Sequence, residues 1–204
     1  MKKTVLATFL FACALLCGEE EVLFTFPGGK FAKGPGLKPA EKTVVFSPVS
    51  RMYINEKFDP DCGSLEFTAK FAPVPAPDGK RQMHYLWSAR GMWSASGNKR
   101  TIASAVIVEQ GDGYSLNFTA FDENNEPVAC SCAVKLPAEK SISLAFFWGA
   151  GSISIKVNGI LFAKKNYRGR LLPGESFMFG TSSADRAMIP MTVEKIRLAG
   201  EKKK

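Results

Sequence analysis

Apolar and polar residues alternate along most of the chain from Glu21 to Leu198, and helical periodicity is almost absent. Alternation of period two marks strands with one buried and one wet face. "SLEFTAKFAPV" shows it most clearly, setting Leu65, Phe67, Ala69 and Phe71 against Glu66, Thr68 and Lys70. The same reading predicts strands in "EVLFTF", "TVVFSP", "MHYLWSA", "TIASAVIVEQ", "YSLNFTAFD", "VACSCAVKL", "SISLAFFWG", "SISIKV", "ILFAKK", "SFMFGTSS" and "MTVEKIRLAG". Between them lie turn-forming stretches. "GGKFAKGPGLKPAEK" and "RGMWSASGNKR" read as loops. "PVPAPDGKRQ" cannot be a central strand, because proline lacks the ladder donor. Many short strands with regular turn signals predict an all-β fold, a two-sheet antiparallel β-sandwich of jelly-roll type.

One hairpin is specified in detail. Asn158-Gly159 supplies the two positive-φ residues of a type I′ turn. A two-residue turn there sets Val157 opposite Ile160, Ile155 opposite Phe162 and Ile153 opposite Lys164. Ile153, Ile155, Val157, Ile160 and Phe162 are then expected on the core face. Ser154, Lys156, Leu161, Ala163 and Lys165 are expected on the other.

The N-terminus adds a compartment. Lys2 and Lys3 precede an apolar run from Thr4 to Cys17, and Glu19-Glu20-Glu21 follow. The run is too short to span a bilayer, and the layout is that of a secretory signal peptide. Residues 1–18 are therefore set apart, residues 19–199 form one sandwich domain, and residues 200–204 are a basic tail. "LFAC" also loosely matches a lipobox, so lipid anchoring at Cys13 is the minor alternative. The expected location is secreted, periplasmic or cell-surface, with no transmembrane span.

Charge and cysteines change the picture less. The net charge of +8 falls to +6 once the two leader lysines are gone. Its cations are spread along the chain, which gives no footprint for specific nucleic-acid binding and leaves acidic polysaccharide as one partner class. Cys62, Cys130 and Cys132 are the disulfide candidates outside the leader. Cys62 pairing with either of the others and three small buried thiols are equally open. Cys130 and Cys132 sit two apart on a strand, at the far limit for bridging each other.

The order of four motifs resembles the laminin-G-like branch of the concanavalin A-like lectin and glucanase superfamily. They are "GSLEFTAKF", "YLWSARG", "SISLAFFWGAGSISIKVNG" and "SFMFGTSS…MIPMTVEKIRL". The resemblance implies a concanavalin A-like sandwich and binding of carbohydrate or extracellular protein. The chain departs from relatives in lacking a histidine in "SISLAFFW" and in offering only Glu194 in the closing strand. Glucanases of this fold place Glu-x-Asp-x-x-Glu on one strand. Here Thr68 and Phe71 stand where the second and third acids would follow Glu66. A non-catalytic module is therefore expected, with a divergent polysaccharide hydrolase or lyase and a structural module of a cell-surface complex as alternatives.

Candidate chemistry is sparse. Trp93 lies in a loop with Arg90, Lys99 and Arg100 near it. A tryptophan face stacks on sugar and the cations suit acidic sugars; the competing reading is a Trp folded over the sandwich edge. Trp87 and Trp148 alternate with apolar neighbours and read as core. Asp122, Asn124 and Glu126 place oxygens at alternate positions, the only calcium candidate, but Pro127 stands where a calcium loop wants glycine; a polar turn explains them as well. No other cofactor is expected. His84 is the only histidine and has no placed nucleophile, so it reads as a partner for a polar neighbour. Asn117-Phe118-Thr119 fits a glycosylation sequon.

Overall fold

The computed structural model describes residues 20–24, 31–32, 37–39, 43–47, 50–54, 61–72, 83–92, 99–110, 113–122, 126–137, 139–149, 151–168, 171, 174–180 and 189–200. Fifteen strands account for almost all of them. They are β1 (Glu20–Phe24), β2 (Phe31–Ala32), β3 (Leu37–Pro39), β4 (Val44–Phe46), β5 (Arg51–Ile54), β6 (Cys62–Phe71), β7 (Met83–Met92) and β8 (Lys99–Gln110). The chain continues through β9 (Gly113–Phe121), β10 (Pro127–Val134), β11 (Ser141–Gly149), β12 (Ser152–Val157), β13 (Ile160–Asn166), β14 (Gly174–Gly180) and β15 (Met191–Gly200). The "GGKFAKGPGLKPAEK" stretch holds two short strands, β2 and β3, rather than a loop alone. β5 was not visible in the alternation because its four residues give too short a pattern.

The strands form two antiparallel sheets. Sheet A runs β13-β12-β11-β6-β15-β4-β3, with β1 also on β15. Sheet B runs β10-β9-β8-β7-β14-β5-β2. β15 serves two short strands end to end: β4 pairs with Met191–Val193 and β1 with Ile196–Gly200. A bulge at Glu194 separates the two stretches.

Alternation puts every second side chain between the sheets. Sheet A sends in Leu65, Phe67, Ala69, Leu144, Phe146, Trp148, Ile153 and Ile155, all buried. Sheet B answers with Trp87, Ala89, Ala105, Ile107, Leu116, Phe118, Phe177 and Phe179. Trp87 and Trp148 are core, as their neighbours in the sequence implied. Trp87 meets Phe146 of the other sheet edge-on at 5.3 Å between ring centroids, and Phe118 and Phe177 of its own sheet at 5.7 and 5.9 Å. Phe67 meets Phe179 at 5.5 Å across the interface. Such edge-to-face pairs add about 0.5–1.5 kcal/mol each beyond the area they bury. Tyr167, also buried, donates its hydroxyl to the carbonyl of Phe121 at 3.2 Å and ties the end of β13 to the end of β9.

Gly63 shows why two distant motifs go together. It lies directly opposite Trp148 in the ladder. A Cβ there would stand 2.4 Å from the Trp148 ring, so only glycine lets the indole lie across β6.

The β12–β13 hairpin departs from its expected register. Asn158 and Gly159 have φ of 50° and 79°, as the turn requires. Val157 faces Ile160, as expected, but a bulge then sets Ile155 opposite Ala163 and Ile153 opposite Lys165. Phe162 is the extra residue. One extra residue exchanges the two faces of everything beyond it. Ala163 therefore packs against the core, while Ile160, Leu161 and Phe162 are exposed.

The cysteine alternatives are also resolved. Cys62 is disulfide-bonded, and Cys130 and Cys132 are free thiols. Pairing of Cys62 with either is therefore not made. Cys62 is on sheet A, and Cys130 and Cys132 are on sheet B. Cys130 and Cys132 face inward on β10 as small apolar groups. Burial, then the nearby Cys132, pushes the Cys130 thiol up to about 11.

Candidate functional site

The strongest candidate surface is the outward face of sheet B. Side chains on neighbouring strands line up there by register. Met178 of β14 stands beside Tyr53 on one side and Ser88 on the other. Ser88 is opposite Ser104, and Ser104 is opposite Thr119. The next row joins Tyr85, Val106, Asn117 and Ser131 across four strands. Hydroxyls, one amide and two phenols thus occupy a broad part of this face. Ser88 and Met178 are nonetheless buried, each 5% exposed, so the row is open to solvent only from Ser104 outward. Asn117 of the sequon lies on it, and its Nδ2 donates to the Ser115 carbonyl at 3.2 Å.

Arg90 closes this face at one end. It is exposed, opposite Thr101 on β8 and Ser176 on β14. The register then sets Gly91 opposite Arg100 and Met92 opposite Lys99. The backbone register thus places Arg90, Lys99 and Arg100 near the paired ends of β7 and β8. Trp93, which follows β7, lies outside the described residues. Arg51 sits beside Gly180 on the same sheet. No Asp or Glu lies on the described part of this outward face, so its fixed charge is positive.

The outward face of sheet A differs. It carries carboxylates held by serines. The Ser143 hydroxyl donates to Glu66 Oε1 at 2.8 Å, and the Ser141 hydroxyl to Glu194 Oε1 at 2.6 Å. Ser141 and Ser143 are two apart on one strand, so their Cα atoms stand roughly 7 Å from each other. The Glu194 bulge is what brings this acid beside β11's end. Each acid has a cation near it: Lys70 Nζ is 4.0 Å from Glu194, and Arg197 is opposite Glu66 in the ladder. The sequence comparison with Glu-x-Asp-x-x-Glu looked along one strand. It could not find a pair contributed by β6 and β15.

The remaining candidates fall elsewhere. Asp122 Oδ1 accepts from the Glu126 backbone N–H at 2.8 Å, so Asp122 closes the β9–β10 turn. Asn124 lies outside the described residues. Among the described residues no three His, Cys, Asp or Glu side chains cluster as metal ligands. His84 is buried, with Nε2 3.8 Å from Glu109 Oε1, the polar partner its position suggested. Opposite Glu109 stands Tyr114, whose hydroxyl is held above its ordinary value by burial and then by the Glu109 charge. This group lies at an end of the core, away from the outward polar rows.

No family model matches the chain, and no curated protein matches it in sequence. Solved structures do match in fold. The botulinum neurotoxin serotype G binding domain superposes with a TM-score of 0.63 at 11% identity, covering 90% of this chain and 48% of that one. The chain thus spans about half the length of the toxin domain. Apo Crh5 transglycosylase matches with a TM-score of 0.58 at 12% identity over 91% of this chain and 89% of its own. An alginate lyase from Pseudomonas aeruginosa matches at 0.57 and 14%, over 83% and 88%. These likenesses show a jelly-roll sandwich, consistent with the concanavalin A-like fold.

Proposed function

We propose that this chain is an exported, non-catalytic carbohydrate-binding module of laminin-G-like type. Its ligand lies along the outward face of sheet B, against the Arg90 end. The observation that carries this reading is the partly exposed row of Ser104 and Thr119 beside Asn117, flanked by Tyr53, Tyr85 and Arg90. Sugars are recognised by many directional hydrogen bonds together with flat apolar surface, and hydroxyl rows with phenol rings offer both. Arg90, Lys99 and Arg100 favour an acidic sugar, whose carboxylate an arginine binds in a fork. The fold neighbours support the substrate class by analogy. They include a transglycosylase, an alginate lyase and a botulinum neurotoxin ligand-binding domain in complex with N-acetylneuraminic acid. Protein ligands outside the cytoplasm remain the other partner class for the same face.

A glycan array probed with the exported chain, with and without calcium, tests this. Arg90→Ala and Trp93→Ala run beside it. Binding to an acidic glycan that Arg90→Ala weakens is expected, since the arginine sits at the end of the row. Silence on every glycan would remove the carbohydrate reading and favour an assembly role. Binding that Trp93→Ala leaves unchanged would remove only the Trp93 assignment.

One observation favours a second reading, a hydrolase. Glu66 and Glu194 share a face, and inverting glycosidases hold their two carboxyls roughly 6.5–9.5 Å apart. Lys70, 4.0 Å from Glu194, and Arg197, opposite Glu66, weigh against it, because each carboxylate already has a cation and a serine hydroxyl as partners. Glu66→Gln and Glu194→Gln separate the two readings. They leave binding intact if the module only binds, and abolish turnover of a bound glycan if it cleaves.

A further inference from the structure

The β12–β13 hairpin exposes what the rest of the sandwich hides. Ile160, Leu161 and Phe162 are 65%, 43% and 51% exposed, consecutive, and at the tip of an edge strand. Apolar residues exposed singly are ordinary; three in a row at one tip are not. The tip is also fixed. Asn158 Oδ1 accepts from the Ser143 backbone N–H at 2.9 Å, and the Asn158 N–H donates to the Ser143 carbonyl at 2.8 Å. The turn is thereby clamped to β11, so the apolar residues are held outward.

The β12–β13 segment itself carries charge of one sign. Between Glu139 and Glu175 the sequence has no Asp or Glu, but it carries Lys140, Lys156, Lys164, Lys165, Arg168 and Arg170. Lys156 stands opposite Leu161, and Lys164 and Lys165 follow on β13 itself, both exposed. This combination argues against the edge strand pairing with a second copy. Antiparallel self-pairing of β13 would bring four ammonium groups together with no carboxylate among them, and lysines on an edge strand oppose such pairing. An apolar tip with lysines behind it on the same hairpin matches the boundary of an anionic bilayer, where acyl chains lie just below phosphates.

We propose that the β12–β13 hairpin docks the protein on anionic membranes. Ile160, Leu161 and Phe162 enter the headgroup–acyl boundary, and Lys156, Lys164 and Lys165 pair with lipid phosphates. The surface is separate from the sheet B face. Tyr167, at the other end of β13 from the turn, is tied to Phe121 on the side of sheet B where Arg90 lies, so the hairpin tip points away from that end.

The test is flotation of the exported chain with phosphatidylcholine vesicles, alone or with about a third phosphatidylserine. Phe162→Trp serves as a reporter against the parent chain. Flotation with the anionic vesicles only is expected, with a blue shift of the new tryptophan and its quenching by brominated acyl chains. Leu161→Ser with Phe162→Ser weakens it at least about ten-fold, through lost apolar burial. Lys164→Gln with Lys165→Gln weakens it about 25-fold, at roughly five-fold per lysine. The serine pair keeps the parent melting curve, since both side chains are exposed. The proposal is overturned by no flotation, or by flotation that the serine pair leaves unchanged. It is equally overturned by salt-sensitive flotation without a blue shift, which is polyanion binding, or by a dimer that the serine pair dissolves.

Discussion

Replacing Gly63 by alanine tests how the two sheet A motifs are locked together. Gly63 is not among the described glycines with positive φ, so its backbone suits alanine. At such a site Gly→Ala ordinarily stabilises by about 0.4–1 kcal/mol, through the unfolded chain. Here the new Cβ would stand 2.4 Å from Trp148 Cζ2, 2.7 Å from Cε2 and 3.0 Å from the Ala199 carbonyl oxygen. The indole has little room to retreat, because Trp148 is 3% exposed and packs on Phe177 at 6.5 Å between centroids. Overpacking of this kind costs about 1–3 kcal/mol. For a domain of this size that lowers Tm by roughly 2–12 °C. Thermal and urea unfolding of Gly63→Ala measure it. Trp148→Phe removes both ring atoms that clash, so Gly63→Ala in that background should lose most of its penalty, a coupling of about 0.5–3 kcal/mol. A neutral or stabilising Gly63→Ala, or an equal penalty in both backgrounds, would refute the steric account.

Two further outcomes follow from the core. Tyr167→Phe removes the hydroxyl that bonds the Phe121 carbonyl; a loss of about 0.5–1.5 kcal/mol in urea unfolding is expected, and no change would show that this tie does not hold the sheets. The Cys130 thiol is raised from its ordinary 9.0 to about 11. Between about pH 9 and 11 the unfolded chain releases this proton and the folded chain keeps it, so stability falls as pH rises through that window and is unaffected below it. Cys130→Ala should flatten that part of the stability profile. In the native protein both thiols should react slowly with iodoacetamide at pH 8, because burial raises each of them; rapid labelling without denaturant would contradict their inward placement.

Much of this fold was legible because β6 through β12 have one face in the core and one in water. Ser141–Gly149 and Met191–Gly200 were readable to the residue, since alternation holds over most of each strand despite the Glu194 bulge in the second. β2, β3 and β5 were not, because two to four residues carry no period. The bulge at Phe162 was hidden for a different reason. It is set by how β13 meets β12 and the opposite sheet, not by the order of apolar residues. Phe162 was therefore expected on the core face, and Ala163, which packs there instead, on the outer one. The candidate site shows the same division. Arg90, Lys99 and Arg100 are near in sequence and were found together. Ser88, Ser104 and Thr119 come from three strands and meet only through register, as do Glu66 and Glu194. Seen singly along the chain, each looked like an ordinary solvated position.

The central claim is that glycan lies on the outward face of sheet B and is bound without being cleaved. Isothermal titration of the best array glycan against four forms of the protein tests it most directly: the parent, Arg90→Ala, Ser104→Val with Thr119→Val, and Glu66→Gln with Glu194→Gln. The account predicts affinity reduced by about ten-fold or more in the two sheet B variants, as lost ligand hydrogen bonds require. It predicts unchanged affinity in the carboxylate variant, and a glycan recovered intact. Affinity that follows Glu66 and Glu194 instead, or glycan recovered as fragments, would contradict it.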